Sequence, residues 1–150
     1  MVMFEQLAAE TYRQMGFPIQ TLESDKSPLG IITYPSWGAG FFVVDVDAHY
    51  GGLDSFKKLN KRIEFPKTVT AKTPRGGLHL YYKYPDGVKI PWRVDTKSGI
   101  DILADDSLVH MPPSKSKMPG KKYNWIISPQ TTEMAYPSKS MLQYIGAIQS

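Results

Sequence analysis

Asp45 and Asp47 stand two residues apart at the end of the apolar run Phe41-Phe42-Val43-Val44, the first place where this chain could do chemistry. The aromatic and β-branched run reads as a buried strand. On a strand, residues i and i+2 share a face, so both carboxylates aim one way with Cα atoms roughly 6.5 Å apart. Two such charges repel unless something neutralises them, and a divalent cation with oxygen ligands does so. The same letters also fit a strand end dissolving into a turn at Gly51-Gly52, with both acids solvated.

Two further polar residues sit where a strand would hold them. His79 follows Gly76-Gly77 in a run that alternates cleanly. Leu78, Leu80, Tyr82 and Tyr84 take one face, and His79, Tyr81 and Lys83 the other, which is read as the solvent side. Asp101 lies inside Gly99-Ile100-Asp101-Ile102 and faces away from both isoleucines. Each has a plainer reading, as a hydrogen-bonded surface histidine or a solvated strand-edge acid.

The elements that must position these residues follow from periodicity. Phe4, Leu7, Ala8, Thr11, Tyr12 and Met15 recur at helical spacing, with Gly16 as the stop, and predict an amphipathic helix whose stripe is core. Phe17–Leu22 and Leu29–Thr33 predict short strands around a polar turn at residues 23–28. A helix of about three turns is expected over Leu53–Ile63, ended by Pro66. Residues 67–84 predict a β-hairpin whose tip holds Thr73-Pro74-Arg75-Gly76-Gly77. Short strands are expected at Ile100–Leu103, Leu108–Met111 and Tyr123–Ile127, and Ser138 can cap a last helix carrying Met141, Leu142, Ile145 and Ile148. The pattern is α+β, with few helices and several strands around one sheet in a single domain spanning residues 1–150.

Composition narrows the classes. The chain has no cysteine, which excludes disulfides and cysteine-based zinc sites. No apolar run approaches a membrane span and the first residues lack a basic leader with an apolar middle, so a cytoplasmic protein is expected. Residues 57–100 carry eleven basic and three acidic side chains between acid-rich flanks. A basic block of that kind suits a phosphate-bearing ligand beside a metal, although solvated helix faces and loop lysines give the same count.

Taken in order, VVDVD with GG four residues on, TPRGGLHLYYKY, SGIDI, MPPS and YNW resemble the bifunctional primase/polymerase domain of the archaeo-eukaryotic primase superfamily, over residues 29–128. The opening helix and the Asp25-Lys26-Ser27-Pro28 turn are similar to that domain's beginning. The resemblance implies a mainly antiparallel, RRM-like sheet flanked by helices. It implies Asp45, Asp47 and Asp101 as ligands of two Mg²⁺ or Mn²⁺ ions, and His79 as a contact to the triphosphate of an incoming nucleotide. The function implied is template-directed nucleotidyl transfer in replication of a phage, plasmid or other mobile element. Its partners would be (d)NTPs, a single-stranded DNA template and primer, and a helicase or other replication protein.

The chemistry of that reaction needs further donors. Arg75, Lys72 and Lys97 are phosphate candidates in the basic block, and Gly76 and Gly77 would let backbone N–H groups approach phosphate closely. Lys115, Lys117, Lys121 and Lys122 fall in a loop expected to be mobile that would track a nucleic-acid backbone, with Tyr123 or Trp125 stacking a base. A solvated loop beside a core tryptophan fits equally. The stretch before the first acids is compressed relative to the family, the segment after Asp101 lacks its usual glycines, and a helical priming subdomain is missing. Two other functions therefore stay open: a non-catalytic module that binds nucleotide, nucleic acid or a replication protein, and a metal-dependent nuclease.

Overall fold

The protein is described here by a computed structural model covering residues 3–24 and 27–149. Its elements are α1 (Met3–Gln14), β1 (Ile19–Ser24), β2 (Ser27–Thr33), β3 (Phe41–Val46), α2 (Gly52–Leu59), β4 (Val69–Lys72), β5 (Leu78–Lys83), β6 (Ile100–Leu103), β7 (Val109–Met111), β8 (Asn124–Ile127) and α3 (Lys139–Tyr144). The turn expected at residues 23–28 includes Asp25 and Lys26, which lie outside the described residues.

The strands form two antiparallel sheets, one in the order β6-β3-β5-β4-β8 and one in the order β1-β2-β7. The expectation of one sheet is thus corrected. Inside the larger sheet, β3 to β6 with α2 after β3 have the strand order of an RRM-like sheet, and β8 extends its edge. The β4–β5 hairpin closes as its turn residues dictate: Thr73 N–H donates to Gly77 O at 3.0 Å, and Gly77 N–H to Thr73 Oγ1 at 2.9 Å.

Period-two alternation divides β3 and β5 between two cores. Phe42, Val44, Val46, Leu80 and Tyr82 pack with Leu59 of α2, and with Met141 and Ile145 at the last helix. Phe41, Val43 and Tyr81 pack instead with Ala9 and Tyr12 of α1, Ile31 of β2 and Met111 of β7. Both faces of the larger sheet are therefore covered, which explains the near-continuous apolar run that leads to Asp45.

Two helices differ from expectation. α1 is capped as predicted, with Gly16 at φ 94° and Phe17 N–H donating to Tyr12 O. Its expected core stripe is corrected, because Phe4 and Leu7 are 81% and 62% exposed while Glu5, Ala9 and Tyr12 are buried. Small Ala9 lets the helix lie close to the sheet, and the larger apolar residues are left outside. α2 is shorter than expected and passes into turns after Leu59. Ser138 caps α3 through Met141 N–H. Among the described residues, no helix is long and apolar enough to cross a membrane.

Candidate active site

β3 lies between β5 and β6, so its residues have partners on both sides. Asp45 pairs with His79 on β5 and with Asp101 on β6. Directly paired residues share a face, so Asp101, Asp45 and His79 form one row across three strands. The row continues through Ala71 on β4 to Trp125 on β8. The neighbouring row, Leu103, Val43, Tyr81 and Val69, carries no charged side chain. The face changes from core to charge within one step of the alternation.

His79 Nε2 lies 3.4 Å from Asp45 Oδ1. The expected solvent-side position of His79 is corrected: it is 6% exposed, with Tyr123 tilted against its ring at 5.8 Å. Among the described residues its Nδ1 is buried and has no hydrogen-bond partner. Tyr123 also stacks on His110 at 5.6 Å, which fixes its ring between two imidazoles. Burial and the nearby Asp45 charge push the Tyr123 hydroxyl above its usual range. Burial, with His79 nearby, pushes the His110 imidazole down.

Asp47 stands just past the strand and caps a single 3-10 turn, Ala48–Tyr50, its Oδ1 accepting from His49 N–H at 2.9 Å. Its backbone joins the two acid-bearing segments. Asp47 N–H donates to Gly99 O at 2.7 Å, and Gly52 N–H donates to Asp47 O at 2.9 Å. A Cβ on Gly52 would stand 2.5 Å from Gly99 O, and one on Gly99 2.7 Å from Gly52 N. The glycines that follow Asp47 and precede Asp101 thus meet backbone to backbone. No side chain fits between them.

Asp101 Oδ1 accepts from Asp95 N–H at 2.7 Å. Burial raises its carboxyl above the usual range, and the charges of Asp45, Asp47 and Asp95 push the same way against that hydrogen bond. Asp95 itself is held low by the Ser98 hydroxyl.

The row opens into a cavity of about 270 Å³. Asp45, Asp47 and His79 line it together with the cations Arg75 and Lys117 and the ring of Tyr123. Asp101 flanks Asp45 outside this lining. Among the described residues neither Arg75 nor Lys117 is paired with a carboxylate. Lys117 reaches the cavity because its loop is a small hairpin. Ser114 is buried and its Oγ bonds both N–H and O of Ile31, while Tyr123 N–H closes the base on Ser114 O. Lys115 pairs with Lys122, and Lys115, Lys121 and Lys122 line an adjoining groove that shares Ser116 and Met118 with the cavity.

Three expectations are corrected. Lys72 pairs with Leu78 and so points to the α2–α3 face, away from the acids. Lys97 belongs to the turn built on Asp95 and does not line the cavity. The N–H groups of Gly76 and Gly77 are both taken within the turn, by Thr73 O and Thr73 Oγ1. A Cβ on Gly77 would stand 2.2 Å from Val46 O, so this glycine serves the close approach of the hairpin to β3. Thr73, Ser116, Met118, Asp95 and His110 were missed in the sequence, which offers no local signal for them.

The donors suit a hard divalent cation: three carboxylates, of which Asp101 is raised by burial and by its neighbours' charges, and no cysteine. As placed, Asp47 and Asp101 each give an oxygen to a backbone N–H, and among the described residues no three acids or histidines enclose a single point.

The model of the bifunctional DNA primase/polymerase N-terminal domain matches residues 7–138, most of the chain. The protein belongs to that family, and a primase/polymerase-type function follows from it. The matched stretch contains Asp45, Asp47, His79, Asp101 and the whole lysine hairpin. No curated protein matches the chain.

Proposed function

We propose that this domain performs metal-dependent, template-directed nucleotidyl transfer, acting in replication of a phage, plasmid or other mobile element. The observation that carries the reading is the row Asp101, Asp45, His79, of which Asp45 and His79 line a cavity with Arg75 and Lys117, cations unpaired among the described residues. Carboxylates and cations lining one cavity match a metal-bound polyphosphate, which presents both charges.

Asp45, Asp47 and Asp101 would hold Mg²⁺ or Mn²⁺. When bound, the ions supply charge stabilisation to the attacking and leaving oxygens of the transfer. Arg75 and Lys117, which line the same cavity, grip the phosphates. His79 is held by its place on β5 against Asp45 and Tyr123, and donates to a phosphate oxygen. Lys115, Lys121 and Lys122, which line the adjoining groove, take the template strand's backbone. The substrates are (d)NTPs with single-stranded template and primer, and a helicase or similar partner would supply opened DNA.

Incubation with Mn²⁺, primed single-stranded template and labelled deoxynucleotides tests this. Extension that disappears in Asp45→Ala is expected. No extension in either metal, with Asp45→Ala behaving as the parent chain, would overturn it. One observation favours a second reading, a non-catalytic nucleotide-binding module: Asp47 and Asp101 are already committed to backbone N–H groups. Nucleotide binding without turnover would select that reading.

A further inference from the structure

Beyond β6 the larger sheet has one more neighbour, the short segment around Arg93. Arg93 N–H donates to Ile102 O at 2.9 Å and Ile102 N–H to Arg93 O at 2.8 Å, an antiparallel bridge. The Arg93 guanidinium lies over the Tyr144 ring at 4.9 Å, on the α3 face. Alternation sends its neighbours Trp92 and Val94 to the face that carries the acids, where they are 53% and 50% exposed. The antiparallel register sets Val94 beside Asp101 and Trp92 beside Leu103, and Asp95 N–H ties the segment to Asp101 Oδ1. Resting on the nucleotide-transfer reading of the acid row, we propose that Trp92 and Val94 seat the last nucleotide of the strand whose 3′-hydroxyl attacks, with Lys97 holding a phosphate of that strand.

The chemistry sets the side of approach. An in-line displacement keeps the attacking and leaving oxygens on opposite sides of the transferred phosphorus. The cations suited to the leaving polyphosphate, Arg75 and Lys117, line the cavity with Asp45, Asp47 and His79, and Asp101 lies outside that lining. The attacking hydroxyl therefore comes from the Asp101 side. There the surface is β6 and the segment beyond it, two strand spacings or roughly 10 Å from β3. One nucleotide covers that span.

The seat is a built surface. The backbone bonds of Arg93 hold Trp92 and Val94 to the sheet, and Gly99 N–H closes the following turn on Asp95 O at 2.8 Å. The Ser98 hydroxyl donates to Asp95 Oδ2 within the same turn. That turn presents Lys97, which is exposed and has no carboxylate partner among the described residues. Trp92 belongs to neither core cluster. An indole with a cation beyond it matches a sugar, apolar on its carbon face, joined to its phosphate. Packing against the sugar leaves the base free to pair with a template. The free cation and the adjoining acid row select a nucleic-acid strand over a protein partner as the occupant.

The test uses Mn²⁺, dATP and a primed single-stranded template. Trp92→Ala should raise KM for the primed template about tenfold, the scale of one aromatic contact to a nucleotide, and leave KM for dATP unchanged. Trp92→Phe should recover most of that loss, and Lys97→Ala should raise the same KM with a shallower salt dependence. Affinity for the unprimed template, read by fluorescence anisotropy, should stay the same in all three variants. Both side chains are exposed, so the fold should survive, and circular dichroism checks it. An unchanged KM for primed template in Trp92→Ala would overturn the assignment, as would an equal rise for dATP or an equal loss on the unprimed strand. A dimer of the parent chain that Trp92→Ala dissociates, with its kinetics intact, would overturn it too and give the patch to a second copy. If the parent chain extends no primer, the nucleotide-transfer reading itself falls and the seat with it.

Discussion

Asp45 and Asp101 are direct cross-strand partners on one face of the larger sheet. Like charges placed opposite each other destabilise a sheet by several tenths of a kcal/mol to about 1 kcal/mol. The pair therefore works against folding.

Asp101→Asn should raise the melting temperature of metal-free protein at neutral pH by about 1–4 °C. The amide keeps an oxygen for Asp95 N–H. The sign of the pH dependence follows from the raised folded-state carboxyl. The folded chain holds that proton more tightly than the unfolded chain, so Asp101 favours folding in acid and opposes it as pH rises through its folded value. The gain from the substitution should vanish below the ordinary carboxylate range. Melting curves of both proteins at acid and neutral pH check this, and equal curves at neutral pH would refute it.

Divalent metal should stabilise the parent chain and not Asp45→Ala. At a hundredfold excess over Kd, linkage gives about 2.7 kcal/mol, or about 5–10 °C for a domain of this size. Thermal scans in Mn²⁺ and in chelator read the shift directly, and the same rise in both proteins would place the metal elsewhere.

Gly52→Ala should destabilise by about 1–3 kcal/mol and weaken metal binding, because the new methyl meets only backbone atoms that cannot step aside. Gly38→Ala is the control, since its nearest neighbour, Ser36 Oγ, is 3.9 Å away. Urea unfolding of the two variants separates the outcomes. Equal stability would mean that β3 and the β6 approach can part without consequence.

The lysines of the hairpin should divide their work between the cavity and the adjoining groove. Lys117→Ala should raise KM for nucleotide about tenfold, the scale of one charge-assisted phosphate contact. Lys121→Ala with Lys122→Ala should leave that KM alone and weaken template binding with a shallower salt dependence. Steady-state kinetics and oligonucleotide titrations at two salt concentrations check both. The opposite assignment would place Lys117 on the strand.

Much of the site was legible because alternation is a local rule. The parity of Asp45, His79 and Asp101 within their own strands was readable from neighbouring letters, and the turn at Thr73–Gly77 fixed how β4 and β5 meet. The same parity, applied to Lys72, would have sent it to the far face with Leu78. The smaller sheet was not legible, since β2 and β7 pair across a long stretch of chain through three residues. In α1, two apolar stripes competed, and the bulk of Phe4 and Leu7 hid that small Ala9 marks the face that can approach the sheet. Tyr123 carried no signal beyond being aromatic, because its stacking against His79 and His110 exists only once three strands and a hairpin are assembled.

The meeting of Gly52 with Gly99 has a consequence for how this domain tolerates change. The gap between the acid-bearing segments is gauged by peptide groups, whose dimensions are the same in every sequence, and not by side-chain volume. The oily layer beneath α2 and α3 can be repacked, or softened by warming, while the ruler that spaces the carboxylates keeps its length.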